Sequence, residues 1–356
     1  MTYLSFYRNK KVLVTGHTGF KGSWLSIWLN MLEAEVCGYA LEPYTENDNF
    51  VMSGLEKLIA HNIGDIRNFN DLICIFKTFR PEIVFHLAAQ PLVRRSYINP
   101  KETFDTNIGG TVNVLECCRI SDSVKVIVNI TSDKCYKNYE WPWGYRENDP
   151  LGGYDPYSSS KASSEIITEA YRESFFNPEY FNDHGKGLAS ARAGNVIGGG
   201  DWREDRLIPD CIRALENNTP IHLRNPESIR PWQYVLEPLS GYLLLAARML
   251  DDPLKFSTSW NFGPRNDNRL TVSDVVDLVV NRWGNGTIEL GKNNLDAHET
   301  NTLWLDISKA IVELDWRPRW DISKSVSATV DWYRKYKTTD IYRFCEDQIH
   351  RYLESK

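Results

Sequence analysis

Short apolar runs alternate with longer amphipathic stretches through the first half of the chain. Val12–Thr15, Val36–Leu41, Ile83–Ala88, Val124–Thr131 and Leu188–Ala193 are near-continuous apolar or β-branched runs, the pattern of strands buried on both faces. Asn68–Phe79, Thr103–Ile120 and Tyr157–Phe176 lie between them and read as helices. After the first run, Trp24, Leu25, Trp28, Leu29 and Leu32 recur along one helical stripe. The alternation predicts an α/β fold built on a doubly wound parallel sheet, with its ligand at the carboxyl ends of the strands.

Beyond Gly194 the rhythm changes. A helix at Ile208–Glu216, short strands at Ile221–Leu223, Trp260–Phe262 and Ile288–Leu290, and helices at Val272–Arg282 and Ser308–Leu314 predict a smaller C-terminal α/β substrate-binding domain. The expected division is 1–193 for the first domain, with 234–258 returning to it, and 194–233 plus 259–356 for the second.

Composition narrows the classes. A net charge of −6 over 356 residues argues against nucleic acid as a partner, although a local Arg and Lys cluster can still hold a phosphorylated small molecule. Met1–Lys11 lacks the apolar core of a signal peptide, and the apolar run Tyr242–Leu250 is too short to span a bilayer. No membrane partner is expected, and the cytoplasm is the expected compartment. The seven cysteines are scattered without Cys-x-x-Cys spacing, which suits reduced thiols and leaves no metal site to expect.

The first strand runs into Gly16-His17-Thr18-Gly19-Phe20-Lys21-Gly22. In a strand–helix turn of this kind, the first glycine permits the tight bend and the second admits a pyrophosphate. The third lets the helix pack on the strand, and the helix N-terminus faces the phosphates. A dinucleotide such as NAD is therefore expected on a Rossmann sheet. NADP stays open. Glu42 stands at or one turn past the place where an acid would hold the ribose 2′-hydroxyl, and Lys21 can grip either the pyrophosphate or a 2′-phosphate.

Tyr157-Ser-Ser-Ser-Lys161 places a phenol and an ammonium one helical turn apart, where the ammonium favours the phenolate. Tyr7/Lys11, Tyr97/Lys101, Tyr333/Lys337 and Tyr352/Lys356 share the spacing. Only Tyr157 opens a helix between two core strands, after Asp155-Pro156. The strand before it ends in Thr131-Ser132-Asp133-Lys134, so Ser132 can hydrogen-bond a hydroxyl undergoing oxidation.

Together these features resemble the extended short-chain dehydrogenase/reductase family, nucleotide-sugar dehydratase/epimerase type. By that resemblance Leu87, Ala88, Ala89 and Gln90 line the cofactor, Asp65 and Ile66 meet its adenine, and Asn107 is the family asparagine of the next helix. Asn195-Val-Ile-Gly198, Arg230-Pro-Trp-Gln-Tyr-Val235 and Asn261-Phe-Gly263 are similar to its nucleotide-sugar elements. Arg230 is then the first choice for the diphosphate, with Arg203, Arg206 and Lys292 behind it, and with Asn195, Asn266 and His298 on the substrate side.

The resemblance implies two reactions. An epimerase oxidises C4, turns the ketone and reduces it; a 4,6-dehydratase also removes the C5 proton and the C6 hydroxyl. An acid after the serine favours the dehydratase, with Asp133 protonating the leaving hydroxyl and a free amine at Lys134 taking the C5 proton, or Lys134 merely pairing with a charge. The loop residues His17, Phe20 and Lys21 resemble the branch that acts on CDP-glucose. A homodimer or homotetramer through the Thr103–Ile120 and Tyr157–Phe176 helices is implied as well. A non-catalytic dinucleotide sensor is disfavoured by the intact Tyr157/Lys161 pair.

Overall fold

A computed structural model describes residues 4–265, 270–290 and 302–355. Seven strands form one sheet in the order β10-β6-β5-β4-β1-β2-β3: β1 Lys11–Thr15, β2 Glu35–Ala40, β3 Ala60–Ile63, β4 Ile83–His86, β5 Val126–Ile130, β6 Gly187–Ala193 and β10 Ser259–Phe262. All pairings are parallel. The chain runs outward from β1 in both directions, so β1 and β4 frame the switch point where an open α/β sheet leaves a crevice. β1, β4, β5 and β6 are buried nearly throughout, as strands covered by helices on both faces must be.

The Phe20–Met31 helix follows β1, and the Leu236–Asp251 helix lies against β5, β6 and β10. That second helix is buried at every position from Leu236 to Ala247, hence apolar almost all round. On the other face, the predicted Thr103–Ile120 helix is three pieces: Pro100–Phe104, a π turn at Asp105–Gly109, and Gly110–Ile120. Two small parallel pairs carry the second lobe. One joins Val196–Ile197 (β7) to Gln233–Tyr234 (β9), the other Ile221–Leu223 (β8) to Ile288–Leu290 (β11).

One boundary is corrected. The expected division put Trp260–Phe262 in the second domain, but Ser259–Phe262 pairs with Ser190–Ala193 as the edge strand of the large sheet. Burial explains why. Trp260 and Phe262 are both fully buried, and Phe262 meets the ring of Tyr242 on the covering helix edge to face at 5.6 Å. Two further amphipathic helices, Ile322–Lys335 and Ile341–Glu354, carry no motif in the sequence; the second packs on the Phe20–Met31 helix, where Trp28 meets Tyr352.

Candidate active site

The glycines of the first loop are there for space. Gly16 has φ +79°, and a Cβ on it would stand 2.8 Å from the Ala88 nitrogen. A Cβ on Gly22 would stand 2.1 Å from the Gly16 carbonyl oxygen, and one on Gly19 would stand 3.3 Å from the same oxygen. Gly19 is the N-cap of the Phe20–Met31 helix and supplies no side-chain cap, which leaves the first-turn amides to an anion. The Thr18 hydroxyl donates to the Leu41 carbonyl at 2.8 Å and ties the loop to the end of β2. Glu42 follows, exposed.

His17 corrects an expectation. Its ring is fully buried, sits where a Cβ on Gly38 would be, and joins His61 by an Nε2–Nδ1 hydrogen bond of 2.7 Å. The side chain therefore packs the loop on β2; only its backbone can line a ligand. Burial, then the neighbouring His61, pulls its imidazole down to about 3.

Lys21 turns the other way. Its ammonium lies 5.9 Å from the Tyr242 ring centroid and is pulled down to about 7 by burial, by Lys161 and by Arg206, with Asp133 opposing. Phe20 lies beside Gly198, where a Cβ would come within 3.0 Å of its ring.

The β4 side of the crevice is fastened by one asparagine. Gln90 donates its backbone N–H to Asn107 Oδ1 at 2.7 Å, and Asn107 Nδ2 donates to the Gln90 carbonyl and, at 2.8 Å, to Ser160 on the Pro156–Phe175 helix. Asn107 sits inside the π turn, a distortion that re-aims a side chain. Leu87 and Ala88 donate their N–H groups to the carbonyl and hydroxyl of Thr15, so Ala88 faces Gly16 while Ala89 is half-buried. Asp65 is held below the ordinary carboxylate range by hydrogen bonding to Arg67, and Ile66 is buried against Gly110.

At the end of β5 the candidate catalytic groups converge. Asp155 caps the Pro156–Phe175 helix by accepting from the Ser158 N–H at 2.9 Å, and Pro156 fixes its first turn. Tyr157 and Lys161 are thereby set on one buried face. The Ser132 hydroxyl lies near enough to the Tyr157 phenol to favour its ionised form. Burial pushes the phenol up to about 12, against the influence of Ser132 and the charge of Arg206. Lys161 donates to the Ile130 carbonyl at 3.4 Å, and burial pulls its ammonium down to about 8.

Ser132 also caps the short Asp133–Cys135 turn, accepting from the Lys134 N–H at 3.2 Å. Asp133 is 2% exposed; its Oδ1 accepts from Ser132 at 2.9 Å, while its Oδ2 has no protein partner. A buried carboxylate oxygen left open costs on the order of 1–3 kcal/mol or more, which leaves Oδ2 free to accept from a ligand. Lys134 is half-buried beside it.

The second lobe supplies cations. Arg206 pairs with Asp201 at 2.6 Å, Arg203 lies 4.0 Å over the Tyr44 ring, and Arg230 donates to the Ile229 carbonyl. Asn195 adopts φ +48° and accepts from the Gln233 N–H. Arg94 and Arg224, not singled out by sequence, meet at Asp205 at 3.2 and 3.7 Å. Their meeting is not legible in sequence, because the two come from different lobes. Trp202 is a core residue, packed on Tyr333 and Tyr336. Asn266, Lys292 and His298 lie outside the described residues. Among the described residues no cluster of three metal-ligating side chains occurs, and no helix is long and apolar enough to cross a membrane.

The family model described as GDP-mannose 4,6 dehydratase matches residues 13–329. A CDP-glucose 4,6-dehydratase of Salmonella typhimurium is 53% identical over 332 residues, covering 93% of this chain and 92% of the relative. Among solved structures, the epimerase Mth375 of Methanothermobacter thermautotrophicus superposes with a TM-score of 0.81 at 23% identity, covering 96% of this chain and 97% of the other. A dTDP-glucose 4,6-dehydratase of Bacillus anthracis in complex with NAD gives 0.75, also at 23% identity, covering 92% and 97%. The chain belongs to the GDP-mannose 4,6 dehydratase family, nucleotide-sugar dehydratases of the short-chain dehydrogenase/reductase type.

Proposed function

We propose that the chain is an NAD-dependent CDP-glucose 4,6-dehydratase, a hydro-lyase that forms CDP-4-keto-6-deoxy-D-glucose. The observation that carries this reading is the 53% identity, along nearly the whole of both chains, to a protein named for that activity. The site supplies matching chemistry.

NAD fits the first loop on steric grounds. Gly16 and Gly22 hold the turn so close to Ala88 and to itself that no side chain is tolerated, and the uncapped helix start faces the space above Gly19. When bound, NAD supplies the acceptor for the C4 hydride and its return to C6. Leu87, Ala88, Ala89, Gln90 and Asn107 line the β4 side, and Asp65 with Ile66 lies past β3.

Tyr157 takes the C4 hydroxyl proton and Ser132 orients that hydroxyl. The charge of Arg206 favours the phenolate against the burial that pushes the phenol up to about 12, and Lys161 stands one turn further along the same helix. Oxidation at C4 acidifies the C5 proton. Lys134, acting as the free amine, takes that proton and Asp133, acting as the neutral acid, gives one to the departing C6 hydroxyl, so one water leaves across C5–C6. Arg203, Arg206, Arg230 and Asn195 hold the diphosphate and sugar, Arg through paired hydrogen bonds.

The cysteines of the chain are all unpaired, which supports a reducing compartment such as the cytoplasm. Ile120, Ile166 and Phe175 are exposed on the Gly110–Ile120 and Pro156–Phe175 helices. These exposed apolar side chains support a homodimer or homotetramer through these helices, which light scattering would size.

The test is to incubate the protein with NAD and, separately, CDP-, UDP-, GDP- and dTDP-glucose, and to follow the alkali-induced chromophore of a 4-keto-6-deoxy sugar. Product from CDP-glucose alone, or far faster, is expected. A 4-epimer in place of the keto sugar, or preference for another base, would overturn the reading.

A further inference from the structure

The Pro156–Phe175 helix carries a third buried titratable group in register with the reactive pair. Tyr157, Lys161 and Glu165 succeed one another at four-residue steps, and Glu165 is not needed by any step above. It forms a buried ion pair with Arg192 of β6 at 2.7 Å, the two side chains being 2% and 3% exposed. A buried ion pair of this kind seldom adds net stability over a well-packed apolar pair, so its presence beside a site asks for another reason.

The hydrogen bonds give one. Glu165 accepts from the Thr131 hydroxyl and, at 2.6 Å, from Ser190. Arg192 donates to the Tyr136 hydroxyl at 2.6 Å and to the Glu147 carbonyl at 2.9 Å, with its guanidinium 4.9 Å over the Tyr136 ring. Tyr136 in turn donates to Asn261 of β10 at 2.8 Å. Thr131 immediately precedes Ser132, and Tyr136 closes the turn that contains Asp133 and Lys134. Lys161 holds the carbonyl of Ile130, one residue earlier.

We propose that the Glu165–Arg192 pair is the positioning device of this site: a bracket that grips Thr131 with its acid and Tyr136 with its base, and so fixes Ser132, Asp133 and Lys134 between them. The roles given to those three residues rest on the proposed function; the bracket itself does not. Its second effect is electrostatic. Burial drives the Lys161 ammonium toward neutrality, and Glu165 is the foremost group opposing this. Glu165 stays ionised because Arg192, Ser190 and Thr131 outweigh its own burial. The other groups facing Lys161 are Cys135 on the turn, His86 on β4 and Lys21 on the first helix; Arg172 and Cys135 also face Glu165.

Two readouts test the proposal. Glu165→Gln should move the alkaline limb of the kcat profile down by about one pH unit. It should cut kcat by about a hundredfold with KM for CDP-glucose little changed. Thr131→Val, which opens the bracket but keeps the charge, should lower kcat without moving the limb, and Glu165→Asp should restore the limb. Native-state hydrogen exchange needs no substrate: peptides spanning 131–136 should exchange about tenfold faster in Glu165→Gln, with the rest of the sheet unchanged.

If Glu165→Gln does not fold, Glu165→Gln with Arg192→Met removes both charges together and should give the same two results. A folded variant with an unmoved limb and unchanged protection over 131–136 would overturn the bracket. Wild-type protein that makes no keto sugar, but shows the local loss of protection in the variant, would sink the proposed reaction and leave the bracket standing.

Discussion

Gly194 lies directly against Asp133: a Cβ there would stand 1.9 Å from the open Oδ2 and 2.1 Å from the carboxyl carbon. The last residue before the lobes diverge is therefore glycine for the sake of a carboxylate on the neighbouring strand end. Gly194→Ala should displace Asp133 and reproduce much of the effect of Asp133→Asn. The expected loss in kcat is about a hundredfold, with Tm shifted far less than activity. Steady-state rates beside thermal melts check it; a wild-type rate would mean that Asp133 need not stay where it is.

The two halves of the reaction should separate by residue. Tyr157→Phe removes the proposed acceptor of the C4 proton and should slow hydride transfer by about 10²- to 10⁴-fold, the range for a lost general base. Asp133→Asn and Lys134→Met should leave that transfer largely intact. Water loss should then fail, so that NADH absorbance appears in a single turnover without keto-deoxy product. Stopped-flow absorbance combined with product analysis distinguishes the two. An epimerase would tolerate both of the latter changes.

Acid stability should report two neutral histidines. His17 and His86 are each pulled by burial to about 3 in the folded protein, from an ordinary value near 6.5. Between those limits the unfolded chain binds the extra protons, so stability is complete above about 6.5 and falls as pH drops toward 3. In the middle of the window both together give an upper slope of about 2.7 kcal/mol per pH unit. Urea unfolding at pH 7, 6 and 5 measures it, and His17→Gln should reduce the slope by about one proton.

Arg206 should act on the phenol as well as on the substrate. It is paired with Asp201 and its charge favours the Tyr157 phenolate. Arg206→Met should raise KM for CDP-glucose and also shift the acid limb of kcat/KM upward. Arg203 is placed over Tyr44 and is not among the leading charges on Tyr157, so Arg203→Met should change KM alone. Parallel pH profiles of the two variants decide between a shared and a divided role.

What was legible in sequence was local. The strand, glycine loop and helix of Lys11–Met31, and the Tyr157/Lys161 pair one turn apart, are set by residues within a few positions of one another. Groups that meet only through the sheet were harder. His17 reads as a loop residue, yet its ring is taken up by Gly38 and His61 of the next two strands. Lys21 reads as a phosphate ligand, but its ammonium faces Lys161, Arg206 and Asp133 from three other segments. Trp260–Phe262 is too short for its sheet to be told from periodicity. The Glu165–Arg192 pair is invisible without the β5–β6 register that brings Thr131 and Ser190 to the same carboxylate.

The most direct single test uses CDP-glucose labelled with deuterium at C4. A dehydratase that oxidises C4 and returns the same hydride to C6 must deliver the label to the C6 methyl group of the 4-keto product. The expected spectrum shows deuterium at C6, with one solvent-derived hydrogen at C5. Deuterium retained at C4 in a recovered or epimerised hexose, or a keto product without label at C6, would contradict it.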